Sequence, residues 1–412
     1  MAEEAPLRMT GSRLVPFLGC SLAVGVFNAF NNFTLPLWLS GFTTSYVLIS
    51  LLGNSRSFES AIVSPLAGAW SDRTWLGRLG RRRPFILSGG LASGALLALT
   101  PLTGAGGLVP VVAMILLFTV AFNVADDVHK ALMTDLVDGP RRNWVSSLMV
   151  VVDIGGQVGI LLLGALLWSA GVPDGAFAVA GGVVAAGMLL TVVGVGEPPP
   201  AQWRGAGGGD GGVGLALGAF VREYRGAAIF LLVSFFYWSG VNAVLPLVSV
   251  YTRDILGATP GEAQLLPALL LLSTTVMAIP TGWLGARVGK RRLLALGYAL
   301  MGLAALSGLV ITTKAEGAAL FFLAGVGNAA TIVLAVPLLG DLVPRQRMGV
   351  AAGLLAASGS VAAPLASLVG GLLAELYGPR AIFAVMAATS ATAVALLPAT
   401  ARPPTAPARP GG

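Results

Sequence analysis

Long apolar blocks alternate with short polar knots along the whole chain. Read by length and composition, the blocks give about twelve spans, at 14–39, 45–70, 84–103, 108–133, 145–168, 175–195, 227–250, 263–285, 293–313, 317–339, 350–374 and 381–399. Each is long enough to cross about 30 Å of hydrocarbon as a helix rising about 1.5 Å per residue. The pattern predicts an all-α membrane protein of about twelve transmembrane helices.

The knots differ in charge. Gly68–Leu87, GAWSDRTWLGRLGRRRPFIL, sets five arginines and an aspartate between two spans. Sorting all 25 Lys and Arg places 20 in the tails, the even-numbered loops and the central loop. The other side holds only Arg253, Lys314 and Arg380, while Arg56 and Lys130 fall inside spans. Lys and Arg are retained on the inner face of a membrane, so both termini are expected in the cytoplasm and the chain in the cell (cytoplasmic) membrane.

Composition agrees. Hydrophobic residues make up 56% of the 412 and charged residues 10%, against about a quarter charged in soluble domains. The 56 glycines suit helices that approach closely in lipid. The net charge of +7 sits in membrane loops without interleaved aromatics, which argues against a nucleic-acid partner and allows contact with membrane lipids. The start, MAEEAPLRMTGSR, reads as no removable signal peptide. Cys20 stands alone, so it predicts packing rather than a disulfide or a multi-cysteine metal site. No HExxH, GxSxG or Walker pattern occurs, and no enzyme, cofactor or metal site is expected.

The chain repeats itself. FNNFTLPLWL in the first span matches SGVNAVLPLV in the seventh, aligning Asn32 with Asn242. LMTDLVDGPRR after the fourth span matches LLGDLVPRQR after the tenth, aligning Asp135 with Asp341 and Arg141 with Arg347. LGRRR at 79–83 matches VGKRR at 288–292. Three matched segments in one order indicate duplication. The expected units are two six-helix halves, 1–195 and 227–399, a cytoplasmic linker over 196–226 rich in Gly and Pro, and a tail over 400–412. Two such halves around a central site are how alternating-access carriers are built.

The pattern G-x-x-x-D-R-x-x-x-x-R-x-G-R-R-R, read at Gly68, Asp72, Arg73, Arg78, Gly80 and Arg81–Arg83, resembles the loop motif of the major facilitator superfamily. The extension Arg81–Ile86 and the segment Lys130-Ala-Leu-Met-Thr-Asp135-Leu resemble the sucrose–proton symporters of its glycoside-transporting branch. Two departures stand out. Lys130 replaces that branch's Arg, losing the planar fork, and Thr119 stands where the plant symporters carry an intramembrane Asp. The fifth span lacks the Gly-Pro motif usual in drug antiporters. The resemblance implies that the first, fourth, seventh and tenth spans line the cavity. It also implies that Asp72 shuts the cytoplasmic face against the start of the eleventh helix, a helix N-terminus being partly positive.

A charge within a span costs on the order of 3 kcal/mol, so such residues are paired, cavity-facing and functional by default. Besides His129, six qualify: Arg56, Glu59, Asp126, Asp127, Lys130 and Asp153, all in the first half. Thr119, Asn123, Asp126 and Lys130 share one stripe of the fourth span, with Asp126 and Lys130 spaced for an ion pair. Arg56 and Glu59 form a pair by spacing, or Glu59 takes a proton and frees Arg56; Asp153 is a further partner for Arg56. Arg56, Glu59, Asp126 and Asp153 are the proton-coupling candidates. His129 lies off the stripe and is expected to hydrogen-bond at the inner interface. Asn28, Asn32, Asn123, Lys130, Trp238, Asn242 and Asn328 are the solute-binding candidates, amides with an aromatic face suiting a hydroxylated ring. Asp72, Arg73, Arg81, Arg82, Asp135, Arg141, Asp341 and Arg347 are the candidates for a cytoplasmic gate. The expected function is secondary active transport of a small polar solute, a sugar or glycoside taken up with protons by a monomer. Proton-driven efflux of an amphiphile and a non-transporting sensor are the alternatives.

Overall fold

The computed structural model describes residues 11–137, 139–197, 220, 222–344 and 347–401. Most of the expected linker and all but two residues of the expected tail lie outside them. The described residues form twelve helical columns. We number them α1 (Gly11–Leu39), α2 (46–73), α3 (Arg83–Thr103), α4 (Leu108–Leu136), α5 (Gly139–Ser169), α6 (Pro173–Gly194), α7 (Arg225–Leu256), α8 (Glu262–Val288), α9 (Lys290–Gly308), α10 (Lys314–Leu342), α11 (Met348–Tyr377) and α12 (Ala381–Thr400). Ten are long and apolar enough to cross a membrane. The exceptions have local causes. Column α2 breaks at Asn54, between Tyr46–Gly53 and Ser55–Arg73, and its second piece is polar. Column α9 opens on Lys290, Arg291 and Arg292, which shortens its apolar stretch.

The pairing of columns follows the duplication read in the sequence. In the first half α1 packs on α5 and α6, α3 on α4 and α6, and α2 on α4. Six columns later the same pairs recur: α7 with α11 and α12, α9 with α10 and α12, and α8 with α10. The halves meet through another such pair of pairs, α2 with α11 and α5 with α8. Each repeated Leu-Pro-Leu bends its column, because a proline inside a helix removes a donor and crowds the preceding turn. A π turn at Phe30–Thr34 precedes the bend in α1, and a 3₁₀ turn at Leu245–Leu247 makes the one in α7.

The two bends meet at the seam between halves. Gly53 fits there because a Cβ would lie 2.7 Å from Pro36 and 3.0 Å from Pro246. Beside it, Asn54 donates to Asn242 at 3.0 Å and to Ser367 at 2.8 Å. Thr34 donates to Gln264, Arg253 to Ser40, and Glu375 accepts from Ser45 and the Val47 backbone. The hydrogen bonds between the halves named above lie at Asn54 or toward the end away from the basic loops. The bundle is latched at that end, and toward the other it leaves Lys130 of α4 56% exposed and open to solvent.

Two buried amide bonds at Asn54 contribute about 0.5–1.5 kcal/mol each. In a Cys20→Ser background, cysteines at 45 and 375 should cross-link readily with a short bifunctional reagent. Asn54→Leu should slow that reaction about tenfold; an unchanged rate would show that Asn54 does not hold the latch.

Candidate functional site

The charged residues of the first half converge where α1, α2, α4 and α5 approach. Asp126 is buried, its side chain 2% exposed, on the inner face of α4. It pairs with Arg56 from α2 and, at 2.7 Å, with Lys130 one turn along its own helix. Arg56 is held from all sides. It donates to Asn28 on α1 and to Asn123 at 3.2 Å, and its guanidinium lies 4.9 Å from the Phe122 ring centre. Asn123 returns a bond to the Arg56 carbonyl at 3.1 Å. Lys130 remains 56% exposed and also reaches Asp127 at 3.4 Å, which accepts from Ser64 on α2. The i, i+4 spacing of Asp126 and Lys130 thus makes the pair read in the sequence, and the stripe of α4 faces the interior.

Three expectations about these charges are corrected. Arg56 does not pair with Glu59. Its reach across to α4 is satisfied by Asp126, and both carboxyl oxygens of Glu59 are sealed without a hydrogen bond, the neighbouring Thr119 hydroxyl being turned to the Ile115 carbonyl. Asp153 makes no ion pair with Arg56. It lies at the α1–α5 contact, where its backbone presses on Gly25, and takes only a 3.4 Å bond from Gln157. His129, expected to hydrogen-bond, is fully buried with its ring 4.6 Å from Phe17 of α1 and no hydrogen bond at either ring nitrogen, because that side of α4 packs against α1.

The second half contributes no charge to this level. A cavity of about 470 Å³ lies between Ser57 of α2 and the walls of α7, α10 and α11, with Trp238 and Asn242 on its surface. Asn242 spends its amide on Asn54 and on the Trp238 carbonyl at 2.8 Å. Asn328 is consumed inside the half, accepting from Tyr237 at 2.6 Å and donating to Thr274 at 3.3 Å. Asn32, aligned with Asn242, is half-buried and makes no hydrogen bond among the described residues; its neighbour Asn31 does, donating to the Gly53 carbonyl at 2.9 Å. The π turn at 30–34 shifts the register of α1 there, which alignment alone does not show.

At the basic-loop end, Arg82 binds Asp72 at 2.7 Å and Asp135 at 3.1 Å, with Arg81 beside it at 3.3 and 3.2 Å. Asp72 is therefore tied within its own half rather than against the start of α11, as follows from a bundle open at this end. Lys290 binds Asp341 at 2.7 Å, the equivalent contact of the other half. Arg73 and Arg141 are exposed with no ion pair among the described residues, and Arg347 lies beside Tyr224. The unforeseen member is Glu197. Its carboxylate accepts from the backbone N–H groups of Arg81, Arg82 and Arg83 at 2.7–2.8 Å, capping the start of α3. Its position at the mouth of a Pro-rich segment disguised it as linker. Asn54 was missed likewise, overshadowed by Arg56 and Glu59 in the same polar stretch.

The family model of the Major Facilitator Superfamily matches residues 17–255 and 230–412. An uncharacterized MFS-type transporter of Methanocaldococcus jannaschii is 26% identical over 144 residues, 35% of this chain and 37% of that one. The match thus spans little more than a third of that relative's length. Among solved structures, a nucleoside transporter, NupG, superposes with TM-score 0.74 at 14% identity over 95% of this chain and 100% of its own. A bacterial homolog of the human lysosomal transporter Spinster, inward-facing and occupied, gives 0.74 at 13% over 95% and 97%. A D-xylose–proton symporter gives 0.72 at 16% over 94% and 96%. At such identities the likeness is one of fold. With nearly its whole length matched by the family model, the chain belongs to the major facilitator superfamily and is a multi-pass membrane transporter.

Proposed function

We propose that this carrier takes up a glycoside or similar small solute together with protons, by alternating access across the cell membrane. The observation that carries the reading is Asp126, a buried carboxylate shared by two cations from two helices. The basic-loop end is the cytoplasmic one by charge retention, so the arrangement seen is the inward-facing one. At contact distance and moderate effective dielectric a charge pair is worth about 4 kcal/mol. A proton on Asp126 would leave Arg56 and Lys130 without their shared counter-ion, and solute oxygens could then take its place. Solute and proton binding become mutually dependent, which is what coupling requires. Glu59, one turn from Arg56 and without a hydrogen bond, supplies a second carboxyl from which the proton can pass.

In this reading Asp72, Asp135, Arg81 and Arg82 hold the inner ends of α2, α3 and α4 together as one body during switching, with Lys290 and Asp341 doing so in the other half. Glu197 positions the arginines by fixing the start of α3.

Proteoliposomes with an imposed proton gradient and radiolabelled glycosides test the coupling. Asp126→Asn and Glu59→Gln should each cut gradient-driven uptake at least tenfold; full activity in either variant removes that residue from the coupling. Solute-dependent alkalinisation outside sealed right-side-out vesicles is expected, whereas proton release driven by an amphiphile would favour antiport. Glu197→Gln should lower the thermal midpoint of the purified protein by roughly 2–4 °C and slow transport, with both losses repaired by Glu197→Asp in part; an unaltered midpoint would deny it the capping role.

A further inference from the structure

The basic loops of the two halves are copies of one another, and the copies differ in charge. In the first half Arg81, Arg82 and Arg83 are served by three carboxylates, Asp72, Asp135 and Glu197. Aligning GAWSDR at 68–73 with GWLGAR at 282–287 puts Ala286 opposite Asp72. Aligning Glu197-Pro-Pro with Arg402-Pro-Pro, each shortly after the last helix of its half, puts an arginine opposite Glu197. Arg402 itself lies outside the described residues. Among the described residues, Lys290, Arg291 and Arg292 are left with Asp341 alone, and Lys290 takes both of its oxygens at 2.7 and 2.8 Å. Arg291 is held by Thr400 of α12, whose hydroxyl and carbonyl accept at 3.0 and 3.3 Å. Arg292 is exposed, with no ion pair or hydrogen bond among the described residues.

The space differs in the same way. Gly80 and Gly289 are equivalent turn residues, with φ of 84° and 99°, where glycine is favoured. A Cβ on Gly80 would lie 2.8 Å from the Glu197 carboxyl, whereas one on Gly289 would meet nothing within 4 Å. Where the first half holds that carboxylate, the second has a cavity of about 490 Å³, with Gly289, Lys290, Arg291, Arg292 and Asp341 on its walls. No side chain caps α9. The backbone N–H groups of Lys290, Arg291 and Arg292 correspond to the three that Glu197 binds, and they have no acceptor among the described residues.

We infer that this cavity binds an external oxyanion of the phosphate class, a phosphate monoester or diester, in the role that Glu197 fills in the first half. Its oxygens accept from the free N–H groups at the start of α9, where a helix carries roughly half a positive charge. The Arg292 guanidinium offers a planar fork that suits two phosphate oxygens at once. Asp341 does not oppose the anion, because Lys290 already neutralises it. The bound anion balances the surplus positive charge and steadies the inner end of the second half. A phospholipid of the inner leaflet and a soluble phosphate share this chemistry. The inference depends neither on the solute carried nor on proton coupling.

The thermal midpoint of the purified full chain in a neutral detergent tests it. The protein is titrated with inorganic phosphate against chloride at equal ionic strength, and with phosphatidylglycerol against phosphatidylcholine in mixed micelles. At least one phosphate-bearing probe should raise the midpoint saturably, by about 3 °C or more. A response to inorganic phosphate identifies a soluble ligand, and a response to phosphatidylglycerol alone identifies a lipid headgroup. Arg292→Gln should weaken the fitted affinity at least tenfold. Arg402→Glu, which restores a carboxylate at the place aligned with Glu197, should raise the midpoint of the anion-free protein and abolish the response. A midpoint indifferent to both probes, or a response undiminished in either variant, overturns the inference.

Discussion

A single buried carboxylate ties three helices of this carrier's first half, α1, α2 and α4, to one another. Asp126 is tolerated inside the bundle because Arg56 and Lys130 neutralise it, and Arg56 is tolerated because Asp126, Asn28, Asn123 and the Phe122 face absorb its donors and charge. Each partner comes from a different turn or helix, so the network fixes α1, α2 and α4 relative to one another. Removing one charge strands the others in a poor solvent for ions. In the proposed mechanism, that mutual dependence is what makes the cluster responsive to one proton.

The polar seam between halves is built differently. Around its centre it uses neutral amides and hydroxyls, Asn54, Asn242, Ser367, Thr34 and Gln264, at a place where two prolines and a glycine bring backbones together. Neutral bonds of about 1 kcal/mol can be made and broken as the halves rock, whereas a buried ion pair would resist. Ion pairs sit instead within each half, as at Arg82–Asp72–Asp135 and Lys290–Asp341, while Arg253 and Glu375 add single charged partners to the seam without pairing across it.

Much of this was legible in the chain. Apolar block length and the distribution of arginines announced the columns, and the repeated Leu-Pro-Leu and Asp-Leu-Val segments announced two halves whose helix pairings then recur six columns apart. The Asp126–Lys130 pair followed from helical spacing. Partners on other helices did not, because period and propensity carry no information about which faces meet. Arg56 therefore had Glu59 and Asp153 as equally good partners on paper, and chose Asp126. His129 was expected to hydrogen-bond because it lies off the stripe, yet α1 covers that side of α4 with an aromatic ring. Asn32 was aligned with Asn242, and a π turn moved it out of equivalence. Glu197 needed the fold, since its three backbone partners lie more than a hundred residues away.

The most direct test of the central claim is pH-difference infrared spectroscopy of the protein in lipid, read in the carboxyl-stretch region. A protonated-carboxyl band that is lost or displaced in the Asp126→Asn protein should grow in at higher pH with solute bound than without it. A band that is the same with and without the Asp126 carboxyl, or no titrating carboxyl at all, would contradict the account.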